Sequence, residues 1–209
     1  MNCYMVGVAG PSGAGKTSVC RTVSSLIGSS LVHLEDYSLE RHRLKKVDIW
    51  PDRDSPESLD LDSVYVSLAG IRNRNEVMVP TYNSPEGKRG RWKTVKPSLV
   101  TVVEGALLFD DPDIRGLFDL RVYLDADQDV LLSRCKSSQS DFDLGYYEQV
   151  VLPACKKYVE PTRACANIVI KSDRPIEQLA VGLANLVWKY YHASRGLEVH
   201  LASCSLANA

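Results

Sequence analysis

Residues 3–18 read CYMVGVAGPSGAGKTS, a short apolar run of β-forming residues that breaks into a glycine-rich turn. The apolar half, Cys3 to Ala9, predicts a strand buried on both faces, because it lacks the alternation of a half-exposed strand. Gly10, Gly15, Lys16 and Thr17 then occupy every fixed position of the phosphate-binding pattern G-x-x-x-x-G-K-[ST]. Ser18–Ile27 continues with helical spacing at Val19, Val23, Leu26 and Ile27. In a strand–turn–helix of this kind the backbone from Gly10 through Ser12, Gly13, Ala14 and Gly15 wraps close enough to point N–H groups at phosphate oxygens. The helix N-terminus at Thr17 and Ser18 adds partial positive charge at the same spot. Lys16 is expected to stand exposed in the loop and to touch only the β- and γ-phosphates, while the Thr17 hydroxyl binds Mg²⁺. The motif assigns a bound nucleoside triphosphate and is silent on what is done with it.

Working outward, short apolar strands alternate with helical patterns. Strands are predicted over Ser30–Leu34, Leu99–Val103, Leu120–Leu124 and Asn167–Ile170, and helices over Leu59–Ile71, from about Val130, over Leu144–Val159 and over Ile176–Tyr191. Pro153 should kink or break the third of these helices. Residues 39–58 read as a charged, irregular surface loop, and Val77–Tyr82 with Lys93–Val95 as a small hairpin. The alternation implies an α/β fold: a parallel sheet of about five strands with helices on both faces. Such sheets bind ligands at the carboxyl ends of their strands, which singles out Gly10–Thr17, Glu35-Asp36, Glu104 and Asp125. Residues 1–193 are read as one domain and 194–209 as a weakly patterned tail.

Bulk composition narrows the partners. The 209 residues carry 25 basic and 26 acidic side chains, a formal net charge of −1, which gives no sign of a non-specific nucleic-acid or membrane-surface binder. The six cysteines form no CxxC pair and show no zinc spacing with histidine, so buried thiols in a reducing compartment are expected. No apolar run is long enough to span a bilayer, and the N-terminus lacks a signal-peptide pattern; the expectation is a cytoplasmic enzyme.

The order of several stretches resembles one family. GPSGAGKTS (10–18), LEDYS (34–38), DRDSPESLD (52–60), VPTYNSPEGKR (79–89), LVTVVEGALL (99–108), DLRVYLDADQDVLLSR (119–134) and YVEPTRACANIVI (158–170) are similar in sequence and spacing to uridine/cytidine kinases and their relatives, phosphoribulokinase and nicotinamide riboside kinase. The resemblance implies a P-loop nucleoside triphosphate hydrolase-type three-layer fold and Mg²⁺-dependent transfer of the γ-phosphoryl of ATP to a hydroxyl of a small metabolite, a nucleoside first of all. Nicotinamide riboside, a sugar phosphate or a pantothenate-like acceptor stands as the alternative, as does an ATP-binding regulator. No NKxD-type guanine motif favours a GTPase. Carried over residue by residue, the catalytic carboxylate falls on Glu35 or Asp36. The aromatic Tyr37 aligns in favour of Glu35, residue identity favours Asp36, and Asp36 is preferred as base, with a share in the metal. Lys16 completes the catalytic set, Glu104 joins Thr17 at the metal, Asp54 would grip the sugar hydroxyls, and Tyr82 and Arg89 would cover the acceptor.

Two departures stand out. Where the pyrimidine-reading histidine of uridine/cytidine kinases belongs, this chain has Gly87, and its histidines lie at 33, 42, 192 and 200. The arginine-rich lid is shortened to RCKSSQSDFDLGYY over 134–147, leaving Arg134 and Lys136 for charge stabilisation, or Arg134 for the helix surface. Arg163 and Lys88–Arg91 are the other candidates to supply that charge.

Overall fold

The computed structural model describes residues 2–83, 86–138 and 142–196. The first strand runs Tyr4–Ala9 (β1), with all six residues buried as the unbroken apolar run requires. It lies at the centre of a five-stranded sheet with Ser30–His33 (β2), Val100–Glu104 (β3), Leu120–Asp125 (β4) and Ile168–Lys171 (β5). The order is β5-β4-β1-β3-β2, and every neighbouring pair is parallel. The chain leaves β1, crosses to the far edge through β2 and returns through β3. The strand order therefore reverses beside β1, and a crevice opens at the carboxyl ends of β1 and β3.

Helices Lys16–Ile27 (α1), Leu61–Arg72 (α2), Gln128–Ser138 (α3) and Ile176–Ser194 (α4) cover the sheet. Because successive strand residues face opposite sides, β1 feeds two cores. Val6 and Val8 meet Val19 and Val23 of α1 and Leu183 and Val187 of α4 on one side. Met5 and Ala9 meet Val64, Leu68 and Ile71 of α2, with Phe109 and Phe118, on the other. Each of these fully buried aliphatic side chains contributes about 1.5–3 kcal/mol against exposure, so the sheet is held from both faces. Asp60 caps α2 by accepting from the Ser63 N–H, which is why that helix starts at Leu61 and not at Leu59.

Some local expectations need correction. Pro153 does not break its helix. Backbone angles stay helical through Val151, Leu152 and Ala154, and the 144–159 run accommodates the ring with π-helical turns at Tyr147–Val151 and Cys155–Val159. The presumed irregular loop over 39–58 contains an antiparallel ribbon, Lys46–Val47 with Trp50–Pro51. The single hairpin expected over 77–95 is two nested pairs, Val77–Val79 with Lys93–Val95 and Tyr82–Asn83 with Lys88–Arg89. The weakly patterned tail falls mainly on 197–209, outside the described residues. The described cysteines, Cys3, Cys20, Cys135, Cys155 and Cys165, are all unpaired thiols, and Cys204 lies outside the described residues. No described helix is long and apolar enough to cross a membrane.

Candidate active site

The cradle forms where β1 ends and α1 begins. Gly10 has φ 143°, and a β-carbon there would sit 2.2 Å from the Leu124 carbonyl oxygen of β4. Gly13, at φ 84°, would place one 2.5 Å from the Leu131 carbonyl oxygen of α3. Both neighbours are backbone and cannot swing aside, so only glycine lets the loop pass between β4 and α3. Gly15 supplies the left-handed residue that turns the chain into α1. Ala14 is buried in the core beneath the loop, Ser18 is exposed on the first turn of α1, and Ser12 faces the clefts beside the loop.

Lys16 departs from expectation. It is only 7% exposed, and its Nζ donates to the Pro11 carbonyl at 3.0 Å. A desolvated ammonium needs an acceptor, and the loop's own backbone provides one.

Behind the loop, one buried carboxylate joins the ends of two strands to the start of α1. Glu104, the last residue of β3, is 2% exposed. Its Oε1 accepts from the Thr17 hydroxyl at 3.0 Å and lies 2.7 Å from His33 Nδ1. The parallel register sets His33 directly opposite Glu104, so the contact follows from strand pairing. Burial alone would push the Glu104 carboxyl up. The His33 hydrogen bond, the Lys16 charge and the Thr17 hydroxyl outweigh it and hold the group below the usual glutamate value. Oε2 is buried with no hydrogen-bond partner among the described residues. An orphaned carboxylate oxygen beside a threonine hydroxyl is an oxygen-only donor set, and it fits a hard divalent cation such as Mg²⁺. Among the described residues no cluster of three or more His, Cys, Asp or Glu could hold a metal with protein ligands alone, so such an ion would need phosphate oxygens to complete its shell. The sequence gave His33 no role at the site; only its position at the end of β2, in register with the strand-end glutamate, would have revealed one.

The two acidic residues after β2 part company on a 3₁₀ turn, Leu34–Tyr37. Asp36 turns to the hairpin, where its Oδ2 pairs with Lys93 Nζ at 2.7 Å and its Oδ1 accepts from the Tyr82 N–H at 3.3 Å. Glu35 instead lines the cleft beside Ser12 and Asp54. Its side chain keeps contact with water at the open floor of the cleft. Crowding by protein atoms, then the charges of Glu104 and Asp54, nonetheless push its pKa up, against a pull from Lys16.

That cleft, of about 390 Å³, is walled by Tyr82, Trp50, Phe142 and Tyr146, with Arg53 and Asp54 at its edge. Asp54 Oδ2 accepts from the Tyr146 hydroxyl at 2.6 Å. Burial pushes the Asp54 pKa up, and the Tyr146 bond draws it partly back. Trp50 and Tyr146 meet edge to face with ring centroids 5.8 Å apart. The sequence reading gave Trp50, Arg53 and Tyr146 no role, because the quoted stretch and the helical pattern that hold Arg53 and Tyr146 do not say which side chains reach the cleft, and Trp50 falls in a segment read as irregular.

Two of the expected substrate residues lie elsewhere. Arg89 pairs with Asp60 Oδ2 at 2.9 Å and donates to the Ser38 and Tyr37 carbonyls, tying the ribbon to the cap of α2. Arg134 donates to the Ser172 carbonyl at 2.6 Å and to its hydroxyl at 3.1 Å, just beyond β5. Each guanidinium is held by backbone carbonyls, and neither lines the cleft. Arg163 stands 3.4 Å from Asp125, in a neighbouring hollow that also touches Pro11 and Ser12. Gly87, at φ 65°, closes the inner ribbon against the Arg41 stem and offers no side chain to the cleft.

A phosphate cradle at the switch point of a five-stranded parallel sheet, with carboxylates facing it across a substrate-sized cleft, defines an ATP-dependent P-loop phosphotransferase. The chain belongs to the Phosphoribulokinase / Uridine kinase family, whose model matches residues 5–177. It is 29% identical over 188 residues to a uridine kinase of Chlamydia pneumoniae, covering 83% of each chain. It is 30% identical over 180 residues to a uridine kinase of Macrococcus caseolyticus, covering 79% of this chain and 86% of that one. Among solved structures, its fold is similar to that of a possible uridine kinase from Bacillus stearothermophilus, with TM-score 0.63, 18% identity, and 81% and 89% of the two chains covered. Phosphoribulokinase from Rhodobacter spheroides gives TM-score 0.58 at 14% identity, with 84% and 74% covered.

Proposed function

We propose that the protein transfers the γ-phosphoryl group of ATP to a hydroxyl of a nucleoside, and that Glu35 is the carboxylate that receives the hydroxyl proton. The observation that carries this reading is that Glu35 and Asp54 line one cleft with Ser12 of the glycine-rich loop, while the charges of Lys16 and of Glu104, which holds the Thr17 hydroxyl, act on Glu35 from beside it. In this arrangement Lys16 leaves the Pro11 carbonyl for the β- and γ-phosphates, and the loop N–H groups hold the remaining oxygens. Thr17 and Glu104 would hold Mg²⁺, which supplies charge neutralisation across the phosphates. The acceptor oxygen attacks the γ-phosphorus while its proton passes to Glu35, and the bond to the ADP oxygen breaks. A raised glutamate pKa suits that role, because a base closer in pKa to working pH takes the proton more readily.

Asp36, preferred from residue identity, is committed to Lys93 and to the Tyr82 backbone. That commitment supports Glu35 as base and leaves Asp36 the task of fastening the hairpin. The names of the relatives make uridine the first acceptor to try, while Gly87 withholds the contact that would select a pyrimidine. Transfer of labelled γ-phosphate to a panel of nucleosides and sugars tests the assignment. Phosphorylation of at least one riboside is the expected result. ATP binding with no transfer to any member would reduce the protein to an ATP-binding regulator.

A further inference from the structure

We propose that Tyr146 is a specificity-determining residue that, with Asp54, reads the two vicinal hydroxyls of the acceptor. The inference rests on the nucleoside reading above and deepens it. A carboxylate alone can accept from two neighbouring hydroxyls, one at each oxygen. Asp54 is not alone. Its Oδ2 already accepts from the Tyr146 hydroxyl at 2.6 Å, which leaves Oδ1 as the open carboxylate oxygen. The Tyr146 oxygen, having spent its proton on Asp54, has only lone pairs to offer. The couple therefore presents two acceptors side by side, Asp54 Oδ1 and Tyr146 Oη, and a cis-diol presents two donors.

The rest of the environment fits this use. Both residues line the same cleft as Glu35 and Tyr82. The Tyr146 ring packs edge to face with Trp50, and Asp143, whose Oδ1 accepts from the Tyr146 backbone N–H at 3.0 Å, caps the helical turn that carries it. Burial, then the charge of Asp54, pushes the phenol pKa up, so it keeps the proton that it donates. A polar pair aimed at a diol rejects an acceptor lacking one hydroxyl far more sharply than an apolar wall would, since a buried acceptor is left unpaired.

The test compares the full-length protein with Tyr146→Phe, which keeps the ring against Trp50 and removes only the oxygen. Steady-state kinetics are measured on a riboside and on its 2′-deoxy and 3′-deoxy forms. Tyr146→Phe is expected to lower kcat/KM on the riboside about tenfold or more, chiefly through KM, and on one of the two deoxy forms by less than about threefold. The KM for ATP and the unfolding temperature should hold. Equal losses on all three acceptors would overturn the proposal and leave Tyr146 as a structural tie to Asp54; no loss on the riboside would also overturn it. Failure of the wild-type protein to phosphorylate any riboside would remove the nucleoside reading and this inference together, a result distinct from wild-type turnover with indiscriminate loss in the variant.

Discussion

Lys16 is the residue whose removal reports most directly on the cradle. Among the described residues its ammonium has one acceptor, the Pro11 carbonyl, so Lys16→Ala should abolish ATP turnover while circular dichroism and the unfolding transition remain those of a folded protein. Wild-type turnover in a folded variant would remove the cradle from the mechanism. The carboxylate pair on the 3₁₀ turn gives a second contrast. Glu35→Gln should cut kcat by about two orders of magnitude with little change in ATP affinity, as expected for loss of a general base. Asp36→Asn should keep kcat within about tenfold and cost roughly 1 kcal/mol of stability, since it weakens a partly exposed ion pair with Lys93. The reverse pattern would restore Asp36 as the base. Glu35 also makes a pH prediction. Its folded pKa is raised, so its charged form destabilises the fold, and that penalty appears as pH rises through the folded value. Glu35→Gln should therefore unfold at a higher temperature than wild type at pH 8, and the difference should vanish below the ordinary glutamate range. Thermal melts across pH check the sign, and a destabilised variant at pH 8 would contradict it. Of these residues the cradle was legible in the sequence because glycines and lysine at fixed spacing have one geometric use. The choice between Glu35 and Asp36 was not, because adjacent residues on a tight turn point in different directions and the pattern does not say which faces the cleft.

At the scale of elements, Arg134 shows how a helix can keep an arginine out of the chemistry. It leaves α3 toward the segment after β5 and satisfies the Ser172 carbonyl, a structural duty. Arg134→Ala should cost about 1–2 kcal/mol in chemical denaturation, the worth of a charge-assisted bond, and leave the KM for ATP within about threefold. A collapse of turnover in a stable variant would return Arg134 to the site. The elements themselves were readable where burial writes a pattern, as in the continuous apolar runs of β1 and β3 and the spacing of α1. They were less readable where pairing is short and exposed. The ribbon Lys46–Val47 with Trp50–Pro51 has two residues a side, too few to show alternation. Of the kink or break expected at Pro153, the break does not occur, because a proline's cost depends on whether the turns around it can widen, and neighbouring packing decides that.

For the molecule as a whole, the prediction concerns which acceptors are used. Discrimination between bases needs a side chain set against the ring edge, and Gly87 withholds one, while Trp50, Tyr82 and Phe142 line the cleft with aromatic surface that does not distinguish one planar ring from another. Uridine should therefore be preferred over other ribosides by less than about a hundredfold, a gap on the order of 2.7 kcal/mol, as competition kinetics with cytidine and nicotinamide riboside would measure. A larger uridine preference would mean that another cleft residue reads the base. The sequence by itself determined the parallel α/β fold, the phosphate cradle and the strand-end glutamate, because each depends on local pattern: apolar runs, glycine spacing, and the residue that ends a strand. Only the tertiary structure decided that His33 and Thr17 share Glu104 while Glu35 rather than Asp36 borders the cleft, and that Tyr146 meets Asp54 from 92 positions along the chain. Those contacts join segments distant in sequence, and their geometry is set by strand register and by the packing of helices on the sheet, which no local pattern encodes.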